Sequence, residues 1–257
     1  MINTIRADSY RLFHSKGFYI NQLLLIGLVV LSVGTEALGS VGISHDSLQQ
    51  LQEQVTQAKW SGANTLIAMS TMSSFLMYFC LPLFVMTIGF DLSKKTLKNL
   101  ISSGISRGEF FFSKYIVFLV TILMQFAFYY GLSFLTAAIK NGVGDFGVNY
   151  FENFFRTLGV QYLSINAIFA FGLLALYLCF SNIAAVLAVV ILPIATGIIT
   201  IIYSKVKVLQ YISFQGSMDS AWLSLPDNFW LNTMIAAVLV IICCGTLSLI
   251  SFKKRDL

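Results

Sequence analysis

Apolar positions in this chain run together rather than alternate. Six apolar segments stand out, at about residues 19–39, 64–90, 110–139, 159–180, 183–203 and 229–252. Roughly 20 apolar residues form an α-helix long enough to cross the ~30 Å hydrocarbon core of a bilayer. The pattern therefore predicts an all-α integral membrane protein with six transmembrane helices, in one domain over residues 1–257. Ser181-Asn182 is the sole polar break between the fourth and fifth segments. It predicts a tight turn between two antiparallel helices. The third segment is long for one span, which predicts tilt or an extension beyond the membrane. Pro82, inside the second, is a candidate kink.

Shorter periodicities fill the polar stretches. At 100° per residue Ile2, Ile5, Leu12 and Phe13 share one arc, opposite Thr4, Asp8, Arg11 and His14. This predicts an amphipathic interfacial helix on the inner leaflet that leads into the first span. Leu48, Leu51, Val55 and Ala58 recur at helical spacing, and Ser47 with Gln50 has the form of a capping box. A short external helix is expected there. Phe146, Tyr150, Phe151, Phe154 and Phe155 crowd one stretch before the fourth span. Aromatic rings concentrate at membrane–water boundaries, so the stretch reads as an interfacial anchor, with substrate contact as the other reading.

Charge sets the orientation. Only 11% of residues are charged and 57% are hydrophobic, against ~25% charged in soluble domains. The net charge of +5 does not mark a nucleic-acid binder, because the charges lie at the ends of apolar runs. Residues 1–18, 91–114 and 252–257 hold 11 of the 16 Lys and Arg. Lys and Arg near span ends stay in the cytoplasm. Six crossings put all three segments on that side, with both termini cytoplasmic in a multi-pass cell-membrane protein. A cleaved signal peptide ending near Ala37–Ser40 is the competing reading of the N-terminus.

Chemistry is sparse. Cys80, Cys179, Cys243 and Cys244 lie inside apolar runs without metal-ligand spacing, and read as small buried hydrophobes. His14 and His45 lie apart and outside the spans. No catalytic set, cofactor site or metal site emerges, and no cofactor is expected. Glu36, Lys114 and Lys140 lie near span ends, and no ionisable residue is expected within the bilayer interior. Ion- and proton-driven machines keep such residues at depth. No GxxxxGK[ST] phosphate loop is present. Uphill transport would draw its energy from another polypeptide.

The segment 91–114 is the most patterned cytoplasmic element. Leu97, Leu100 and Ile101 make an apolar helix face, and Lys94, Lys95 and Lys98 lie away from its centre. Gly104 suits a left-handed helix end. Ser106 and Glu109 form the box that opens the next helix. Periodicity alone fits equally a docking helix and a basic loop that only enforces topology.

Taken in order, Asp91, Lys95, Thr96, Leu97, Ser106, Arg107 and Lys114, followed by Phe252, Arg255 and Asp256, resemble the marks of ABC-2 type transporter permease subunits. The resemblance covers nearly the whole chain. Two positions depart from the family pattern: Asp91 stands where Glu is usual, and Lys95 where a Gly often precedes the Thr. The resemblance implies a coupling helix at about 92–105 between spans two and three. Asp91, Lys95, Thr96, Leu97, Leu100, Ile101 and Arg107 would couple it to a separate ATP-binding cassette ATPase, present in two copies. It also implies a second permease, a copy or a relative, and no ATPase site on this chain. Compact permeases of this kind resemble those of bacteriocin or lantibiotic immunity and of peptide or drug export. The other classes kept open are a non-transporting membrane immunity or sensor protein that binds its target directly, and an intramembrane enzyme.

Overall fold

The computed structural model describes residues 1–39, 46–93, 104–203, 206–223 and 228–254. These residues form helices, turns and connecting segments, with no strand among them. The elements are α1 (Ile2–Phe13), α2 (Lys16–Thr35), α3 (Asp46–Gln57), α4 (Gly62–Ser70) and α5 (Phe75–Phe84). A π-helical turn (Val85–Gly89) and α6 (Phe90–Ser93) follow. Then come α7 (Arg107–Asn141), α8 (Tyr150–Cys179), α9 (Asn182–Ile202), α10 (Lys207–Ile212), α11 (Phe214–Asp219) and α12 (Phe229–Lys254). Five helices are long and apolar enough to cross a membrane: α2, α7, α8, α9 and α12. A sixth span exists only if α4 and the α5–π segment, bent by 71°, count as one.

That bend corrects the expectation for Pro82. The helix breaks at Thr71–Ser74, eight or more residues before the proline, and Pro82 is carried inside α5 ahead of the π-helical turn. The long third span is as expected. α7 has 35 residues, about 52 Å at 1.5 Å per residue, so it extends well past a bilayer core. Ser106 starts it as foreseen, accepting a hydrogen bond from the Glu109 N–H at 3.1 Å. The turn at Ser181-Asn182 is also present, with Ser181 capping α9 and Phe180 at φ 50°. Helix α3 forms where Leu48 and Val55 predicted, and both are buried. It begins at Asp46, before the Ser47 expected to cap it.

α8 is the central helix. It packs most extensively on α12, then on α9 and α11. Small residues permit the closest approach, as in other membrane helix pairs. A Cβ at Gly172 would come within 2.4 Å of Val189 on α9. Deeper in, Phe84, Phe118 and Phe169 form a triangle with ring centroids 5.0–5.4 Å apart. Edge-on and tilted pairs of this kind add about 0.5–1.5 kcal/mol each beyond area burial.

Two ends of the bundle can be told apart. One carries α1, Asp91, Lys114 and the last turn of α12. The other carries α3 and the 142–149 connection. There the N–H groups of Gly62 and Ala63 donate to the carbonyls of Gly142 and Val143 at 2.9 Å. Gly144, at φ +80°, passes so close to Ser61 that a side chain would not fit. The cysteine expectation holds for half its members: Cys80 and Cys244 are buried, whereas Cys179 and Cys243 are exposed.

Candidate functional site

The first end of the bundle holds a knot of four charges. Lys114 on α7 lies between two carboxylates, bonding Asp8 of α1 at 2.6 Å and also Asp91 of α6. Arg11 of α1 reaches the same pair, at 2.9 Å from Asp8 and 3.4 Å from Asp91. Among the described residues of the knot, two anions thus face two cations. Asp8, Asp91 and Lys114 are 5%, 3% and 1% exposed, and charges this buried persist only when paired. The Arg11 guanidinium also sits over the Phe90 ring at 4.1 Å.

Local sequence explains the arrangement. On α1, Asp8 and Arg11 are three apart and so share a face. Leu12 lies beside them and packs with Phe18 and Leu83. The polar and apolar arcs of α1 therefore do not divide into an outer and an inner face: Asp8 and Leu12 are both buried, while Ile2 is 79% exposed and Tyr10 and Phe13 are also exposed. A second staple joins the chain's far end. Arg107 donates to the carbonyls of Phe252 and Lys253 at 3.1 and 2.8 Å. Phe252 itself is fully buried against Tyr177 and Phe110.

Of the coupling residues expected from sequence, Asp91 and Arg107 are thus brought to one end of the bundle, Asp91 buried and Arg107 partly so. Lys95, Thr96, Leu97, Leu100 and Ile101 lie outside the described residues, as do Arg255 and Asp256. The knot partners Asp8 and Arg11 were missed as site residues. The signal was an Asp–Arg pair at helical spacing in a chain with few acids.

A second polar cluster lies at the break between α4 and α5. Ser70, Thr71, Ser73 and Ser74 are fully buried. A broken helix frees backbone groups, and no water replaces their partners within a bilayer. Side chains do so here. Asp219 of α11 accepts the Ser74 N–H at 2.8 Å. Gln161 donates to the Ser70 carbonyl at 3.1 Å and to the Met218 carbonyl at 3.0 Å. Tyr129 donates to the Met69 carbonyl at 2.9 Å, and Tyr130 to Gln161 at 2.6 Å. Sequence placed Asp219 in an outer loop. It is instead buried, and burial pushes its carboxyl up to about 7, with the Ser74 and Ser73 hydrogen bonds opposing part of the rise. Asp219 and Lys114 are thus ionisable groups buried within the protein.

Among the described residues no group of three or more His, Cys, Asp or Glu is arranged to hold a metal ion. Residues 40–257 match the family model described as protein of unknown function (DUF2705). The chain belongs to this family. The match takes in Asp91, Lys114 and Asp219 and begins after Asp8 and Arg11. No curated protein and no solved structure matches the chain.

Proposed function

We propose that this chain is the membrane-spanning permease subunit of an ATP-driven exporter. In this reading the bent α4–α5 pair is one span, six spans cross the cell membrane and both termini are cytoplasmic. A separate ATP-binding cassette ATPase, in two copies, supplies energy, and a second permease completes the pathway. The chain is not itself an enzyme. The substrate is an amphipathic or hydrophobic peptide or drug-like molecule.

The observation that carries the reading is the anchoring of the 94–103 segment. Asp91 just before it and Lys114 just after it are tied to each other and to α1, and Arg107 is tied to the end of α12. A segment held at both ends by buried ion pairs transmits a push into the bundle rather than absorbing it. A loop that only enforces topology has no need of such supports. Asp91 and Arg107 then act as positioning residues. Contact with the ATPase falls to Leu97, Leu100 and Ile101, a triplet suited to a partner's groove.

The test is tolerance to amphipathic peptides in cells that carry the chain with its ATPase. Protection is expected, and it should vanish when the ATPase catalytic Glu is changed to Gln. Protection that survives that change would assign the chain to direct sequestration, the immunity-protein reading.

A further inference from the structure

A cavity of about 400 Å3 lies between α7 and α8. Leu123, Phe126, Tyr130 and Phe134 form its wall on α7, facing Phe154 and Tyr162 on α8. Buried Leu66 closes the deep side, and exposed Ala127 and Gly131 leave the other side open to lipid. The volume lies in the range of small-molecule sites, ~300–1,000 Å3.

The lining fixes the chemistry of an occupant. The two hydroxyls are already engaged, Tyr130 with Gln161 at 2.6 Å and Tyr162 with the Leu119 carbonyl at 3.2 Å. An occupant therefore meets hydrocarbon and ring faces only. Shape fixes it further. The wall from Leu123 to Phe134 runs about 16 Å along the helix at 1.5 Å per residue. One leaflet of a ~30 Å core is ~15 Å deep. At its outer limit, Phe134 and Phe154 lie about 6–10 Å from the ends of their helices, beside the exposed rings of Phe151 and Phe155. A polar headgroup fits there, where aromatic belts sit.

We propose that this cavity binds one acyl chain of a membrane lipid from the leaflet on the side of the 142–149 connection. An empty gap would deny its walls dispersion contacts on one side, and a chain restores them. The bound chain acts as a wedge. It fixes Tyr130, which supports the bent span through Gln161 and the Ser70 carbonyl. This role does not depend on which molecule the protein exports.

The experiment places the full-length chain in nanodiscs whose phosphatidylglycerol carries a diazirine on one acyl chain. After irradiation, adducts are mapped by peptide mass spectrometry. Adducts should concentrate on 123–134 and 154–162 rather than on Ile191 and Ile198, which are exposed on α9. Nothing lies within 4 Å of a Cβ built at Gly131, so Gly131→Trp should fold and fill the mouth. It should cut these adducts about fivefold, the loss produced by ~1 kcal/mol of binding, with α9 labelling unchanged. Ala127→Phe should do the same, and unchanged thermal unfolding identifies the folded variant. Even labelling over all exposed helices would overturn the proposal, as would undiminished labelling in a folded variant. Displacement of the lipid adducts by an amphipathic peptide would also overturn it, assigning the cavity to the peptide.

Discussion

Lys114 faces two buried carboxylates at once, so its loss leaves two negative charges facing each other across α1 and α6. Removing one partner of a buried pair costs about 3–5 kcal/mol, while the intact pair adds little net stability. Lys114→Ala should therefore lower the thermal unfolding temperature of the purified protein sharply. Arg11→Ala should lower it less, because Arg11 is nearer the surface. Equal, small effects would mean that the knot does not hold α1. Asp219 makes a different demand. Its carboxyl titrates near 7 in the folded protein against an ordinary value of 3.8. The folded state binds this proton more tightly than the unfolded chain does. The contribution of Asp219 to stability is therefore greatest at low pH and is lost as pH rises through about 4 to 7, by on the order of 4 kcal/mol at ~1.4 per pH unit. Asp219→Asn keeps an oxygen for the Ser74 N–H and carries no charge. It should unfold later than the wild type at pH 8 and lose that part of the pH dependence. An unchanged pH profile in the variant would show that Asp219 is not the titrating group.

At the scale of elements, apolar runs located α2, α7, α9 and α12 to within four residues at each end, because helix length and bilayer thickness leave little choice; α8 begins at Tyr150, nine residues before the expected 159, because the aromatic stretch continues the helix. The break in the second apolar segment was harder to see. Ser70, Thr71, Ser73 and Ser74 interrupt an apolar run, but hydroxyls bond their own helix and are tolerated in spans. Only distant Gln161 and Asp219 convert the run into a turn, and such pairing across 91 and 145 positions leaves no local mark. α11 was likewise read as part of an outer loop, though Ser217 and Asp219 are buried with it. A cysteine at Ser217 is therefore a poor reporter of sidedness. Val148 is 93% exposed, and Lys254 is exposed on α12. In a Cys-free background, Val148→Cys should react with a membrane-impermeant thiol reagent on whole cells, and Lys254→Cys only after permeabilisation. The reverse pattern would invert the orientation, and labelling of both from outside would mean that α8, α9 and α12 do not all cross the membrane.

At the scale of the molecule, the charge knot and the Arg107 contact fasten α1, the flanks of residues 94–103 and the end of α12 into one unit at one end of the bundle. In the exporter account such a unit moves as a body when the ATPase pushes on residues 94–103. The most direct check on the exporter account is what this segment holds. The chain is purified from its native membranes in mild detergent, alone and as Leu97→Ser with Leu100→Ser, and its partners are identified and assayed for ATP hydrolysis. The account predicts an ATPase with a GxxxxGK[ST] loop, retained in fixed ratio by the wild type. The double variant should lose it while staying in the membrane, since losing two partly buried leucines removes about 2–4 kcal/mol of interface. A wild-type chain that purifies without any such ATPase, or a double variant that keeps it undiminished, would contradict the account.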